Sequence, residues 1–534
     1  MSGTKWISAS LLLSVACWAQ PAVPKDATVP EQLGGWKSET PPDGGPKARV
    51  DRFRITNNQL LPEEELREIV APYEGKELSL AEMKAVARKL TARFQRHGYF
   101  LVRVYVPRQK VTGGEVELKV LEGKVGQLKV EGAEHYPEDF VKARFLNSFE
   151  GDNFKNERFQ RAMLLLNEMT DLKVKAVLAP GQEEGTADVT LQVEDALPIH
   201  GGVDYNNYGT PETGEHRVGL NFDAGSLFTT ADQLSLRGVL GFPGRENSFY
   251  QLGYQAPLND DGLSLSVSYA NGAFSVSQGL GAILDVRGRA DIFTAGMSYA
   301  LDRQLDFSSN LGVVLSHKDI RNNFLAAQVP FSRDRYTTAR FTYQADWRSP
   351  EGRTLLQTAW TQGLGGTSGS DLLVSRQGAS PGFSRFNVDL ARVQNLDTGL
   401  YAVLRASGQY ATQPLYLGEQ YAVGGPDSVR GFAQAELLGD NAYVLSAELR
   451  YSPFHEDLEA FQVAAFIDHG GVGLRNRQAG DLPNGSSLTG AGFGFRFGLG
   501  EQANLRLDLG FPISPSSSRN DRSPAIYCGL QTRF

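Results

Sequence analysis

The side chains in this sequence that could carry chemistry are few and scattered. Gly378-Ala379-Ser380-Pro381-Gly382 fits the G-x-S-x-G pattern of a serine nucleophile. Such a serine needs a strand before it and a helix after it. Pro381 and the Gly/Ser-rich surroundings deny it that helix, so no enzyme is expected. The cysteines are Cys17 and Cys528, and no Cys/His cluster has metal-ligand spacing; neither a metal nor a cofactor is expected. His97 closes a helical stretch, where a cation meets the negative end of the helix dipole, and reads as a cap rather than a ligand. Two charged residues in glycine-containing segments remain. Arg430 lies in Gly424-Gly425-Pro426-Asp427-Ser428-Val429-Arg430-Gly431-Phe432, and Asp468 in Phe466-Ile467-Asp468-His469-Gly470.

The elements that must position them are bounded by composition. A formal net charge of -8 argues against a nucleic-acid partner held by bulk attraction to phosphate. The chain is 41% hydrophobic and rich in aromatics, with 58 glycines. After the first twenty residues no apolar run approaches the roughly 20 residues a spanning helix requires. A membrane crossing therefore has to be a closed barrel, because lipid offers no partner to an open strand edge. Lys5, the apolar stretch Ile7 to Trp18, and Ala19 before Gln20 read as a secretory signal peptide over residues 1–19. A lipoprotein signal is the weaker reading: it needs an aliphatic residue three before Cys17, where Ser14 stands.

Residues 20–50, with Pro24, Pro30, Pro41, Pro42 and Pro46, read as a Pro/Gly-rich linker. Residues 51–122 follow as β-α-α-β-β. Ser79 and Glu82 have capping-box spacing, and Met83, Val86, Ala87, Leu90 and Phe94 share one helical face. Residues 123–196 repeat that order, with a second helix from Asn156 to Met169. From 197 to 534 the helical signal vanishes. Segments of about ten residues alternate apolar with polar, as in Leu505, Leu507 and Leu509 against Arg506 and Asp508. About sixteen such strands predict a transmembrane antiparallel β-barrel, charges toward a watery lumen and leucines toward lipid. A soluble β-sandwich is the alternative, and so many polar-in segments behind a signal peptide suit it poorly. Alternation turns Phe466 and Asp468 to the lumen and Ile467 to lipid.

The segment ending Val429, Arg430, Gly431 and Phe432 resembles the sixth outer loop of the POTRA-barrel superfamily. Its GG-x-x-SVRGF form is similar to the transporters of two-partner secretion, which export haemolysins and filamentous adhesins. Phe466, Asp468 and Gly470 resemble that family's F-x-D-x-G motif. Gly98-Tyr99, Pro107, Gln109 and Gly114, then Pro180-Gly181, resemble its two periplasmic POTRA domains. The resemblance implies that the loop folds back into the lumen and that Arg430 pairs with Asp468, a role suited to a planar, permanently charged fork. Phe534 resembles the terminal aromatic that the barrel assembly machinery reads. The function implied is export of an unfolded secreted polypeptide across the outer membrane. The expected protein is a monomer in outer-membrane lipid, its POTRA domains in the periplasm. A barrel-assembly insertase, whose relatives usually carry three or more POTRA domains, and a passive porin are the alternatives. Relatives often carry a plug helix before the first POTRA; the prolines and Gly34-Gly35 leave room for only a turn or two.

Overall fold

The computed structural model describes residues 46–99, 101–147, 155–183, 185–242, 247–276, 282–324, 329–367, 374–454, 460–479, 481–500, 502–515 and 523–534. The signal peptide over 1–19, and the linker and plug-helix readings up to residue 45, lie outside them. Two compact units are present, one up to Leu197 and one from Pro198 onward.

The first unit begins with β1 (Lys47–Val50), β2 (Arg52–Thr56), α1 (Glu63–Val70), β3 (Lys76–Ser79), α2 (Leu80–Arg96), β4 (Arg103–Tyr105) and β5 (Glu115–Leu121). A three-stranded sheet has the order β2-β5-β4, and β1 pairs with β3. The strand at Lys47–Val50 corrects the linker reading: four residues are already paired there, and Val50 is fully buried. β3 also went unrecognised, since four residues running straight into a helix cap leave no room for a visible alternation. α2 starts as its sequence dictates. Ser79 Oγ accepts the Glu82 N–H at 3.3 Å, and Glu82 Oε2 accepts the Ser79 N–H at 2.7 Å; a cap of this kind contributes about 1 kcal/mol. The helix stops at His97, whose Nε2 lies 2.7 Å from Glu65 Oε1, and Gly98 takes φ +85°. Its apolar face, Met83 to Phe94, is buried against Phe53, Leu66, Val116 and Leu118.

The order recurs in β6 (Lys124–Glu131), α3 (Glu138–Asn147), α4 (Asn156–Asn167), β7 (Leu172–Pro180) and β8 (Thr186–Asp195), with sheet order β6-β8-β7. Phe145 and Phe159 hold the two helices edge to face at 6.1 Å. Asn167 ties α4 to β7: its Nδ2 donates to the carbonyls of Met163 and Val174, and its Oδ1 accepts the Val174 N–H. Asp195 holds the turn 134–136, accepting the N–H groups of Glu134, His135 and Tyr136. Burial alone would raise its carboxyl, and these three donors outweigh that and hold it below the usual range.

The second unit opens with β9 (Ile199–Asn206), β10 (His216–Gly225), β11 (Gln233–Phe242), β12 (Asn247–Pro257), β13 (Leu263–Ser275) and β14 (Arg287–Arg303). It continues with β15 (Phe307–Phe324), β16 (Val329–Ser349), β17 (Gly352–Gly366), β18 (Ser384–Asp397) and β19 (Leu400–Ala411). After the short pair β20 (Tyr421–Val423) and β21 (Leu437–Gly439) come β22 (Asn441–Tyr451), β23 (Phe461–Gly473), β24 (Ser486–Leu499), β25 (Ala503–Pro512) and β26 (Ala525–Thr532). All but β20 and β21 form one closed barrel of sixteen strands, each antiparallel to its sequence neighbour and β26 closing on β9. Closure removes every strand edge, which an apolar solvent demands. Large apolar side chains such as Leu220, Leu252, Leu445, Ile467 and Ile526 stand outward, while Asp204, Asp346, Glu448 and Asp508 are buried inside. Phe534 extends the seam: it exchanges both backbone hydrogen bonds with Gly201, at 2.7 and 2.9 Å, and its exposed ring lies against the bare Cα of that glycine.

Candidate functional site

The connection between β19 and β22 joins the eleventh and twelfth barrel strands and turns back among residues of the barrel's inner face. Its return is shaped by glycine. Gly424, Gly425 and Gly431 have φ of +109°, +106° and +99°, a region costly to side chains. Val429 and Phe432 are fully buried, packed with Val423, Leu437, Val444, Val472 and Leu488.

Between them Arg430 projects into a set of carboxylates. Its Nε and an Nη donate to the two oxygens of Asp468 at 2.7 and 3.0 Å, and its backbone N–H reaches Oδ2 at 3.1 Å. Its other Nη donates to Glu448 Oε2 at 2.6 Å and lies 3.8 Å from Asp508 Oδ2. The guanidinium sits over the Phe466 ring, 3.3 Å from its centroid. Ser446 Oγ adds a hydrogen bond to Asp468 at 2.6 Å. Arg450 and Arg496 share Glu448, while Arg496 and Arg506 share Asp508. Arg506 in turn holds the loop at Asp427 Oδ1 and the Pro426 carbonyl. Arg430 is 4% exposed and Asp468 1%. At that burial, stripping Arg430 leaves Asp468 without a counter-ion, whereas stripping Asp468 leaves Arg430 with Glu448 alone in direct contact.

Position for position, Phe466 and Asp468 face inward and Ile467 outward, as alternation requires. A side chain at Gly470 would press on Val429. Sequence reasoning missed several partners. By sequence alone Glu448 is one more polar residue alternating with Ala447 and Leu449. Gly490 and Gly510, on β24 and β25, form the floor beneath the loop: a Cβ on Gly490 would overlap the Arg430 carbonyl, and one on Gly510 would lie 2.5 Å from the Gly431 nitrogen. Tyr527 of β26 clamps the next turn, accepting the Gly431 N–H at 3.1 Å and donating to the Phe432 carbonyl at 2.6 Å. The signal for the floor was present as Gly490-Ala491-Gly492-Phe493-Gly494, glycine at every lumen-facing position.

A second anchor lies at the base of the loop. Glu419, 1% exposed, accepts Lys318 Nζ at 2.6 Å and Tyr336 OH at 2.8 Å, and pairs with Arg385 at 2.8 Å. Tyr416 stacks on Tyr336 at 4.5 Å. Asp440 accepts the N–H groups of Leu415 and Arg475. The serine at 380 is an ordinary loop residue, its Oγ accepting the Gly382 N–H and the Gln413 amide, and β18 rather than a helix follows it.

A sixteen-stranded barrel with a lumenal loop held by an arginine, preceded by α+β repeats, defines an outer-membrane POTRA-barrel transporter. Residues 48–123 match the family model of the ShlB-type POTRA domain, and residues 185–497 that of the haemolysin secretion/activation protein ShlB/FhaC/HecB. The chain belongs to the ShlB/FhaC/HecB family. It is 26% identical over 421 residues to the outer membrane transporter CdiB of Escherichia coli O6:K15:H31, covering 77% of this chain and 70% of that protein. It is 20% identical over 475 residues to the heme/hemopexin transporter protein HuxB of Haemophilus influenzae 86-028NP, covering 87% and 83%. The solved structure of CdiB from Escherichia coli superimposes with a TM-score of 0.74 at 22% identity, covering 92% of this chain and 91% of that one.

Proposed function

We propose that this outer-membrane transporter takes an unfolded secreted polypeptide from the periplasm and passes it through the barrel once the Val429–Phe432 tip leaves the inner face. The carrying observation is the buried Arg430 on Asp468 and Glu448, which holds the loop tip against the barrel's inner face. A porin has no use for such a latch. Capture falls to the POTRA sheets. β7 is nine residues long with a single sheet neighbour and stands beside α4, so an extended chain can add to it by main-chain hydrogen bonds largely independent of sequence. Folding of the exported chain outside, downhill by about 5 to 15 kcal/mol per domain, gives direction without catalysis or cofactor. The transporter works as a monomer, and Phe534 is the residue offered to the barrel assembly machinery. Deleting residues 52–194 tests the reading: the barrel is expected in the outer membrane with export abolished. Normal export by the truncated protein would remove the capture role and favour a pore of another class.

A further inference from the structure

The outer end of the β14–β16 sheet carries a cluster of arginines on its outward face. β9 follows directly on the periplasmic POTRA segment, so odd-numbered barrel strands run outward and even-numbered ones inward. The start of β14, the end of β15 and the start of β16 therefore lie together at the outer side. On β16 the outward positions run from Trp347, its ring tilted against that of Phe307, through Phe341 to Thr337, ten residues from the tryptophan. At the usual rise and tilt that distance climbs roughly 25 Å, the height of a barrel's apolar band. Arg335 and Arg333 come next on the same face, at the level of outer-leaflet headgroups.

There they join a guanidinium cluster. Asp319, opposite Arg335 on β15, accepts two hydrogen bonds from Arg321 (3.1 and 2.6 Å) and two from Arg333 (3.0 and 2.7 Å), and lies 3.7 Å from Arg335. Three cations share one carboxylate, an excess of two positive charges. The side chains of Arg321, Arg333 and Arg335 remain 45%, 43% and 57% exposed. Each of the first two keeps three N–H donors without a partner among the described residues. Arg289, on neighbouring β14, borders the cluster with its own Asp291. One buried acid gathers the three guanidiniums and offsets only one of their charges, which leaves the remaining N–H groups of Arg321 and Arg333 available to an anion.

Directly below is an apolar hollow of about 610 Å³ on the lipid face, lined by Leu252, Val267, Tyr269, Phe293, Ala295 and Leu315, with His317 and Thr337 at its outer rim. Ala295, paired with Val267, supplies the missing volume between Phe293 and Leu315. It is an open hollow in the barrel wall rather than an enclosed cavity, a shape suited to a chain lying along the surface. Cationic forks at headgroup height above an acyl-sized hollow complement one kind of molecule.

We propose that this face is a specific site for a phosphorylated, acylated lipid of the outer leaflet, with phosphate on Arg321, Arg333 and Arg335 and one acyl chain in the hollow at Ala295. The site fixes the barrel wall behind Lys318 and Tyr336, which hold the base of the inserted loop from the other side of the same strands. The test uses the full chain purified in detergent, with diphosphoryl lipid A as probe and bound lipid counted by native mass spectrometry. Lipid A is expected to bind at least tenfold more tightly than phosphatidylglycerol. The R321Q/R333Q/R335Q variant is expected to lose that preference, and A295W, far from the charges, to weaken lipid A binding about tenfold while the barrel keeps its heat-modifiable migration. Millimolar inorganic phosphate should leave lipid A bound. Unchanged lipid A binding in folded A295W, equal retention of phosphatidylglycerol, or full displacement by inorganic phosphate would each overturn the proposal. Should the triple arginine variant fail to fold, A295W and the lipid comparison decide it alone.

Discussion

Arg430 of the inserted loop and Asp468 of β23 are joined at three points, two through the guanidinium and one through the Arg430 backbone N–H, across 38 positions of sequence. The backbone bond matters for exchange experiments, since it fixes an acceptor at position 468 whatever stands at position 430. Arg430→Ala and Asp468→Ala should each lower secreted partner in the medium, with the double variant little worse than either. Breaking one side of so buried a pair costs about 3 to 5 kcal/mol, against about 1 kcal/mol for an exposed pair. The swap Arg430→Asp with Asp468→Arg should not restore export, because Glu448 would then face a second carboxylate. Additive losses in the four-variant cycle would show that the two residues do not act as a unit.

Gly490→Val places a branched side chain where the Arg430 carbonyl rests. The loop tip should be displaced and the barrel left intact, because residue 490 faces the lumen and its backbone pairing is untouched. Single barrels in planar bilayers should pass from a small, unsteady conductance to a larger one, as expected when an obstructing segment is withdrawn. Ala491→Val, on the outer face, should leave the trace as in the unaltered protein. Identical traces for both variants would show that the tip does not narrow the lumen.

At the loop base, Glu419→Gln should lower the thermal midpoint in detergent, because it leaves Lys318 buried without its counter-charge, a loss of about 3 to 5 kcal/mol. Lys318→Met together with Glu419→Gln should recover part of it, since the Lys318 charge is then removed while Arg385, the other cation on Glu419, stays without its carboxylate. A double variant less stable than the single would place the stabilisation elsewhere.

What could be read in the sequence was whatever repeats at short range. α2 was visible because its cap and its five buried apolar residues lie within one helix. Alternation alone turned Phe466 and Asp468 inward. β3 was hidden because four residues cannot show a period. Glu448 and Tyr527 looked like any polar or aromatic residue of an alternating strand, since their partners come from the loop 18 and 96 positions away. Lys318 and Glu419 are 101 positions apart, on a strand and a turn with no shared local signal. Barrel closure creates such contacts, and no window along the chain contains both members.

Asp195 gives the second POTRA domain an acid-sensitive joint. Its carboxyl titrates below the ordinary range in the folded chain, so its stabilisation is complete above the unfolded value of about 3.9 and is lost as pH falls through the lower folded value. Hydrogen exchange of the amides of Glu134, His135 and Tyr136 in the full protein should stay slow down to about pH 4 and accelerate below it. In Asp195→Asn those amides should exchange faster at neutral pH, with a local cost of about 1 to 3 kcal/mol. Protection unchanged by the substitution would show that the turn is held without the carboxylate.

Whether the loop must move is decided most directly by tethering it. Position 470 of β23 faces Val429, a Cβ there lying 3.1 Å from Val429 Cγ2, close enough for a disulfide once both residues are cysteine. In a Cys528→Ser background, Val429→Cys with Gly470→Cys is to be compared oxidised and reduced in the same cells, with Gly470→Cys alone reporting the effect of crowding. The readout is secreted partner in the medium per barrel in the outer membrane. Export is expected to fall at least tenfold on oxidation and to return on reduction. Undiminished export from barrels in which the bridge has demonstrably formed would contradict the claim that the loop tip leaves the inner face for a chain to pass.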